Sequence, residues 1–146
     1  MITIRKAAFS DAAAAADLAL QLWPDHKMCE MQAELESILA GAEAAVFLAF
    51  ADDVPIGFAQ CQLRHDYVEG TSSSPVGYLE GIFVSPAYQK RGIARILLSS
   101  CESWAKEQGC TEFASDCELD NQDSLRFHLS VGFEEANRII CFTKKL

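Results

Sequence analysis

The sequence predicts a single α/β domain in which helices flank one mixed sheet. Three observations point to it. A chain of 146 residues, half of them hydrophobic, is the size of one domain whose core needs no disulfide or metal staples. Strand-like and helix-like stretches follow one another in the order β-α-α-β-β-β-α-β-α-β, with no internal repeat, no low-complexity linker and no second domain, so residues 1–146 read as one unit. An apolar strand also runs through a turn directly into an amphipathic helix in the middle of the chain.

Residues 2–6 alternate as a strand. Ser10-Asp11 offers an N-cap to an alanine-rich helix over 12–22 that Pro24 stops. A second helix over 30–39 carries Met31, Leu35, Ile38 and Leu39 on one face and closes at Gly41. Strands over 45–51 and 56–63 meet at the hairpin signal Asp52-Asp53. A loop over 66–75 precedes the long apolar strand 76–84, which Pro86 ends. The helix from Gly92 has the stripe Ile93, Ile96, Leu97, Cys101 and Trp104 and stops at Gly109. A short strand over 111–116, a short helix over 124–131 ending at Gly132, and a last strand over 138–144 complete the chain.

Composition narrows the function classes. The net charge of −9 should repel nucleic acid and anionic membrane and attract cations. No stretch approaches the roughly 20 apolar residues of a membrane span, and residues 1–6 lack the apolar run of a signal peptide, so a cytoplasmic protein is expected. The six cysteines form no Cys-x-x-Cys pair and three lie in apolar runs, which argues against zinc or a disulfide framework and for reduced, buried thiols, Cys117 among them. No metal is expected.

The most informative segment is Val84-Ser85-Pro86-Ala87-Tyr88-Gln89-Lys90-Arg91-Gly92-Ile93-Ala94. A turn carrying Gln-x-x-Gly-x-Ala opens a helix, whose first N–H groups lack intrahelical partners and point outward with the positive end of the dipole. Gly92 and Ala94 leave room for an approaching phosphate, and Lys90 and Arg91 add positive charge to an acidic protein. Downstream stands Asn121-x-x-Ser124-x-x-Phe127-His128-x-x-x-Gly132-Phe133.

These two segments resemble the acetyl-CoA signature and the downstream coenzyme-binding segment of the GCN5-related N-acetyltransferase superfamily, and the resemblance covers nearly the whole chain. It implies a central, mostly antiparallel mixed sheet, acetyl-CoA as co-substrate, and a pyrophosphate seated on Gln89, Lys90, Arg91, Gly92, Ile93 and Ala94. It also implies that the backbone of Ile82, Phe83 and Val84 holds the pantetheine and the acetyl carbonyl, and that Asn121 contacts the coenzyme.

A narrower resemblance rests on Leu22-Trp23-Pro24-x-His26, Arg64-His65-Asp66-Tyr67-Val68-x-Gly70, Ser73-Ser74-Pro75-Val76, Leu79-Glu80-Gly81-Ile82-Phe83-Val84 and Ala114-Ser115-Asp116. These are similar to aminoglycoside 6'-N-acetyltransferases, which inactivate antibiotics by acetylating the 6'-amine. The likeness implies an aminoglycoside substrate, contacts to it from Trp23, His26, Tyr67, Glu80, Asp116 and the region of Asn137, and a homodimer. Some relatives carry an acid where this chain has Asn137, which weakens one implied ammonium contact and bears on which drugs are preferred.

The residues themselves suit that chemistry. Glu80 interrupts an apolar strand, where an ionised carboxylate needs a partner, either a structural arginine such as Arg64 or Arg5 or a ligand's ammonium. Asp116 ends the neighbouring strand, where α/β folds place their clefts; a turn or cap role is its alternative. Trp23 and Tyr67 suit stacking on a sugar or cation, or core packing. The expected reaction is direct attack of the neutral amine on the thioester. Glu80 would accept the proton or hold an ammonium, a backbone N–H near Phe83 or Val84 would polarise the carbonyl, and His128 would protonate the departing thiolate where much of the superfamily has a tyrosine. Other readings of the same acidic cleft are acetylation of a polyamine or protein amine, and a non-catalytic acyl-CoA-binding sensor.

Overall fold

The computed structural model describes residues 1–146. Its strands are β1 (Ile2–Lys6), β2 (Ala44–Ala51), β3 (Val54–Arg64), β4 (Val76–Val84) and β5 (Phe113–Ala114), and its helices α1 (Ala12–Leu22), α2 (Met28–Ala40), α3 (Ile93–Glu107) and α4 (Gln122–Ser130). The strands lie side by side in chain order. β1 through β4 pair antiparallel, while β4 and β5 pair parallel and are therefore joined by a crossover, which α3 supplies.

The sheet is covered on both faces. On one, Leu97, Leu98, Cys101 and Trp104 of α3 pack against Ala45, Ala49, Ala59, Cys61 and Leu79. On the other, Ala15, Ala16 and Ala19 of α1 recur at helical spacing with no bulk beyond Cβ, so α1 and α2 lie close over Val46, Leu48 and Phe58. Phe58 is the largest side chain fully removed from water.

Two features position the site. First, Gln60 pairs with Gly81 and Cys61 with Leu79, so Glu80 is an extra residue, a β-bulge in β4. Second, β4 and β5 pair only at Gly77–Phe113 and Tyr78–Ala114. Beyond Tyr78, β4 therefore has β3 on one side and no strand on the other.

Three expectations need correction. The strand over 111–116 is only Phe113–Ala114. The strand over 138–144 does not form: those residues hold the apolar run 139–142 but pair with no strand of the chain, and Ile139, Ile140 and Phe142 stand 67%, 79% and 90% exposed. Asp11 does not cap α1; its carboxylate accepts from the Ala8 N–H at 2.7 Å and from both terminal nitrogens of Arg5 at 2.8 and 3.0 Å.

Candidate active site

The bulge reverses the alternation of β4. Leu79 lies against α3, and after the extra residue Ile82 and Val84 face α3 as well, whereas Phe83 joins the core beneath α1 and α2. Glu80 and Gly81, neighbours in sequence, thereby both present to the α1–α2 side. A cavity of about 180 Å³ opens there, with Met31, Leu35 and Ile38 as apolar wall and Trp23, His26, Glu34, Gln60 and Glu80 around it. Trp23 is both packing and wall. It meets Phe58 edge-on at 6.0 Å and lies so close over Gly81 that a Cβ there would stand 2.5 Å from the indole.

Glu80 is paired within the chain, as one reading of the sequence required. Arg64 donates to its Oε1 from Nε at 3.2 Å and from Nη2 at 2.8 Å. The Arg64 guanidinium also lies 3.5 Å above the centre of the Tyr78 ring, and the Tyr78 hydroxyl donates to Oδ2 of Asp116. Burial, reinforced by that carboxylate, pushes the Tyr78 phenol well above its usual range.

Tyr67 and Asn137 come together elsewhere, on Glu69. The Tyr67 hydroxyl donates to its Oε2 at 3.2 Å and Asn137 Nδ2 to its Oε1 at 3.0 Å. Both residues are exposed and neither lines the cavity beside Glu80. Gly70, at φ +81, meets Ala136 so closely that a Cβ would stand 2.5 Å from it. Glu112 fastens the same loop, accepting from the Ser73 hydroxyl and the Ser72 N–H at 2.9 Å, and these bonds hold its carboxyl below the usual range.

On the opposite side of β4 lies the turn into α3. Lys90 and Gly92 both adopt left-handed backbone, φ +62 and +78, which folds the chain into a concave run of N–H groups. Nothing lies within 4 Å of where a Gly92 Cβ would be, and Ile96 is the first residue of α3 whose N–H is bonded back, to the Gly92 carbonyl at 3.2 Å. Ile93, Ala94 and Arg95 keep their N–H groups for an anion, with Lys90 and Arg91 exposed beside them. Ile93 itself is buried under the sheet. The Gln89 side chain donates to the Val84 carbonyl at 2.9 Å, so it ties the turn to the strand end. Asn121 caps α4, its Oδ1 accepting from the Ser124 N–H at 3.1 Å, and its amide nitrogen has no partner in the chain.

His128 is held at both nitrogens. Nδ1 lies 2.7 Å from the Ser124 carbonyl, which can only accept, so Nδ1 carries a proton. Nε2 of the neutral ring is then an acceptor, and Ser115 Oγ is 2.7 Å from it. His128 thus meets the space beside β4 through Ser115, a residue the sequence reading passed over. Glu34, Gln60, Arg64, Tyr78 and Glu69 were likewise missed as site residues. Gln60 breaks an apolar strand as Glu80 does, and Glu34 lies on the edge of the Met31, Leu35 and Ile38 stripe, so two of these left a signal. Cys29, Cys117 and Cys141 are exposed rather than buried; Cys61, Cys101 and Cys110 are buried, and the Cys61 thiol together with burial pushes the Cys101 thiol up. His65 pairs with Glu43 at 2.8 Å on the surface.

The arrangement is an anion cradle on one side of β4 and an acid-lined cavity on the other, joined by a strand with an open edge. Residues 12–133 match the model of the acetyltransferase (GNAT) family. An aminoglycoside N(6')-acetyltransferase type 1 of Stenotrophomonas maltophilia is 48% identical over 99% of this chain and 94% of its own length. One of Salmonella typhimurium is 46% identical over 86% of each. The structure of AAC(6')-Iy in complex with the bisubstrate analogue CoA-S-monomethyl-acetylneamine superposes with a TM-score of 0.96 at 41% identity, covering 100% of this chain and 99% of that one. That of AAC(6')-Ih from Acinetobacter baumannii gives 0.93 at 39%, covering 100% and 99%. The chain therefore belongs to the GNAT acetyltransferase family and, within it, to the aminoglycoside 6'-N-acetyltransferases.

Proposed function

We propose that the chain transfers the acetyl group of acetyl-CoA to the 6'-amine of aminoglycoside antibiotics and so confers resistance to them. The observation that carries this reading is the placement of Glu80: the bulge turns its carboxylate into a cavity with Trp23, His26 and Glu34, while the adjoining residues of the same strand run along the open edge. A polyammonium sugar suits carboxylates and an indole face. Acetyl-CoA supplies an activated thioester. The residues of the turn fit its pyrophosphate: left-handed Gly92 leaves the approach open, and the free N–H groups of α3 with Lys90 and Arg91 supply the positive end.

The amine must arrive without its proton. Glu80 Oε2 accepts no hydrogen bond from the chain, so it can take that proton directly or through water. As the amine nitrogen bonds to the acetyl carbon, the carbonyl π pair moves to oxygen, which a backbone N–H of the open β4 edge, at Phe83 or Val84, would stabilise. As the nitrogen sheds its second proton to water, the oxygen pair re-forms the carbonyl and the C–S bond breaks with its pair on sulfur. Ser115 would pass a proton to that sulfur and regain one from protonated His128, whose Nδ1–H stays on the Ser124 carbonyl.

We also infer a homodimer: the extended apolar segment holding Ile139, Ile140 and Phe142 has no partner within its own chain, and a second copy would cover it. A cytoplasmic location agrees with six free cysteines. Turnover of acetyl-CoA with kanamycin-like drugs, with the product located by NMR, tests the function. Acetyl at the 6'-nitrogen is expected; acetyl elsewhere, or turnover only with polyamines or protein amines, would refute it.

A further inference from the structure

Glu80 and Asp116 come from different parts of the sheet, one from the bulge of β4 and one from beyond β5, yet two other residues join them. The ring of Tyr78 is the centre of this join. It is buried to 7% exposure and packed with Val68 and Val76, so it does not swing. Its face carries the Arg64 guanidinium at 3.5 Å, and its hydroxyl binds Oδ2 of Asp116. Both Arg64 hydrogen bonds go to the same oxygen of Glu80, Oε1. Each carboxylate therefore has one oxygen tied to the bridge, and neither Glu80 Oε2 nor Asp116 Oδ1 has a hydrogen-bond partner in the chain.

A simple strut would not need this division. Pairing both Glu80 oxygens with the guanidinium in a fork would satisfy the carboxylate more fully and is the usual geometry for arginine. Here the fork is turned so that Nε and Nη2 converge on one atom, and the stack on Tyr78 holds it in that orientation. The phenol, pushed up by burial and by Asp116, remains a donor, so its bond to Oδ2 lasts over the whole neutral range.

We propose that Arg64 and Tyr78 are positioning residues that set the spacing between two ammonium-accepting oxygens, Glu80 Oε2 and Asp116 Oδ1, and thereby determine which polyamine sugars are taken. The inference rests on the reading of Glu80 and Asp116 as ammonium contacts. It makes Arg64 a selectivity element as well: by neutralising part of Glu80 it keeps the site from holding more cations than its free oxygens can orient.

Tyr78→Phe keeps the ring and the stack and removes one donor; Arg64→Lys keeps the charge and removes the planar fork. With purified full-length protein and a panel of aminoglycosides differing in amine spacing, Tyr78→Phe should raise KM by about fivefold or more, as expected for a lost bond to a charged group, with kcat changed far less. The order of preference among the drugs should change, and acetyl-CoA affinity should not. Arg64→Lys should likewise reorder the panel while the protein stays folded. A strut without a positioning role would lower melting temperature and leave the drug order intact. Wild-type KM values and drug order in both folded variants would overturn the proposal. Failure of the substrate reading is separately visible, because the wild-type enzyme would then acetylate none of the panel; a triamine such as spermidine would replace it as acceptor, with the same KM shift expected and its absence again decisive.

Discussion

Ser115 Oγ stands 2.7 Å from Nε2 of His128, while the other ring nitrogen of His128 is fixed on the Ser124 carbonyl. The neutral ring has no proton on Nε2, so the relay needs the ring protonated at both nitrogens, and under that reading Ser115 and His128 work as a unit. Ser115→Ala and His128→Ala should each lower kcat, with KM for both substrates little changed, and the double variant should be no worse than the poorer single one. The loss should stay below the roughly 10²–10⁴-fold range of general acid catalysis, because a thiolate leaves readily near neutrality (a thiol titrates near ~8.5). Acetyl thioesters of less acidic thiols should widen the gap between variants and wild type. Additive losses in the double variant would separate the two residues.

Gly92 sits at φ +78 in front of open space. Gly92→Asp adds backbone strain and a negative charge where the proposed cradle would hold the pyrophosphate. Acetyl-CoA affinity should fall at least tenfold, about 1.4 kcal/mol, by calorimetric titration. Gly92→Ala separates the contributions, since it brings the strain without the charge and should cost less. Equal affinity in a folded Gly92→Asp protein would remove the cradle from this turn.

Glu80→Gln should raise KM for the drug and leave acetyl-CoA binding unchanged. If Oε2 also takes the amine's proton, kcat falls with it. Added salt should weaken drug binding to the wild type more than to Glu80→Gln, since exposed charges are screened over about 8 Å at physiological ionic strength. Steady-state kinetics with each substrate in turn decide this.

Gly81→Ala places a methyl group 2.5 Å from the Trp23 indole. The ring must move or the strand must shift, a cost of about 1–3 kcal/mol for overpacking. A lower melting temperature together with a higher drug KM is expected, because the displaced indole is also the cavity wall. A stability loss without a KM change would restrict Trp23 to packing.

Asp11 links folding to pH. The Arg5 hydrogen bonds, supported by the Ala8 N–H, hold its carboxyl below the usual range in the folded protein. The unfolded chain titrates near ~3.9, so this stabilisation is complete above that value and is lost as pH falls through the lower folded value. The difference in melting temperature between wild type and Asp11→Asn should be widest near neutrality and shrink in acid; a constant gap would show that charge is not its source.

Much of this site was legible in the sequence because its signals are local. The turn into α3 is a contiguous run, and Glu80 stands out as a lone carboxylate in an apolar strand. Its orientation was not legible, because a bulge belongs to the register between β3 and β4 rather than to either strand alone. The join of Arg64, Tyr78 and Asp116 was hidden for the same reason: its members lie 14 to 52 residues apart and meet only when the sheet forms. Residues 138–144 misled because an apolar, β-branched run reports the capacity to pair, whereas a strand also requires a partner, and within the chain this segment has none. Cys117 misled because β5 ends three residues before it, leaving it on an exposed turn.

The inserted residue in β4 also bears on how this protein can change. In the proposed reaction one strand serves two chemically opposite neighbours, a phosphate-bearing cofactor and a cationic acceptor, and its extra residue gives the acceptor side both a carboxylate and a glycine. Under the proposed reading, exchanging the side chain at position 80 would alter which amines are held. Removing one residue between Leu79 and Ile82 would restore plain alternation with Ile82 and Val84 still facing α3, and would leave a single residue where Glu80 and Gly81 now share the other side. A shortening at this point would therefore leave the α3 side of the strand as it is and cost the other side either its carboxylate or the glycine over which Trp23 lies.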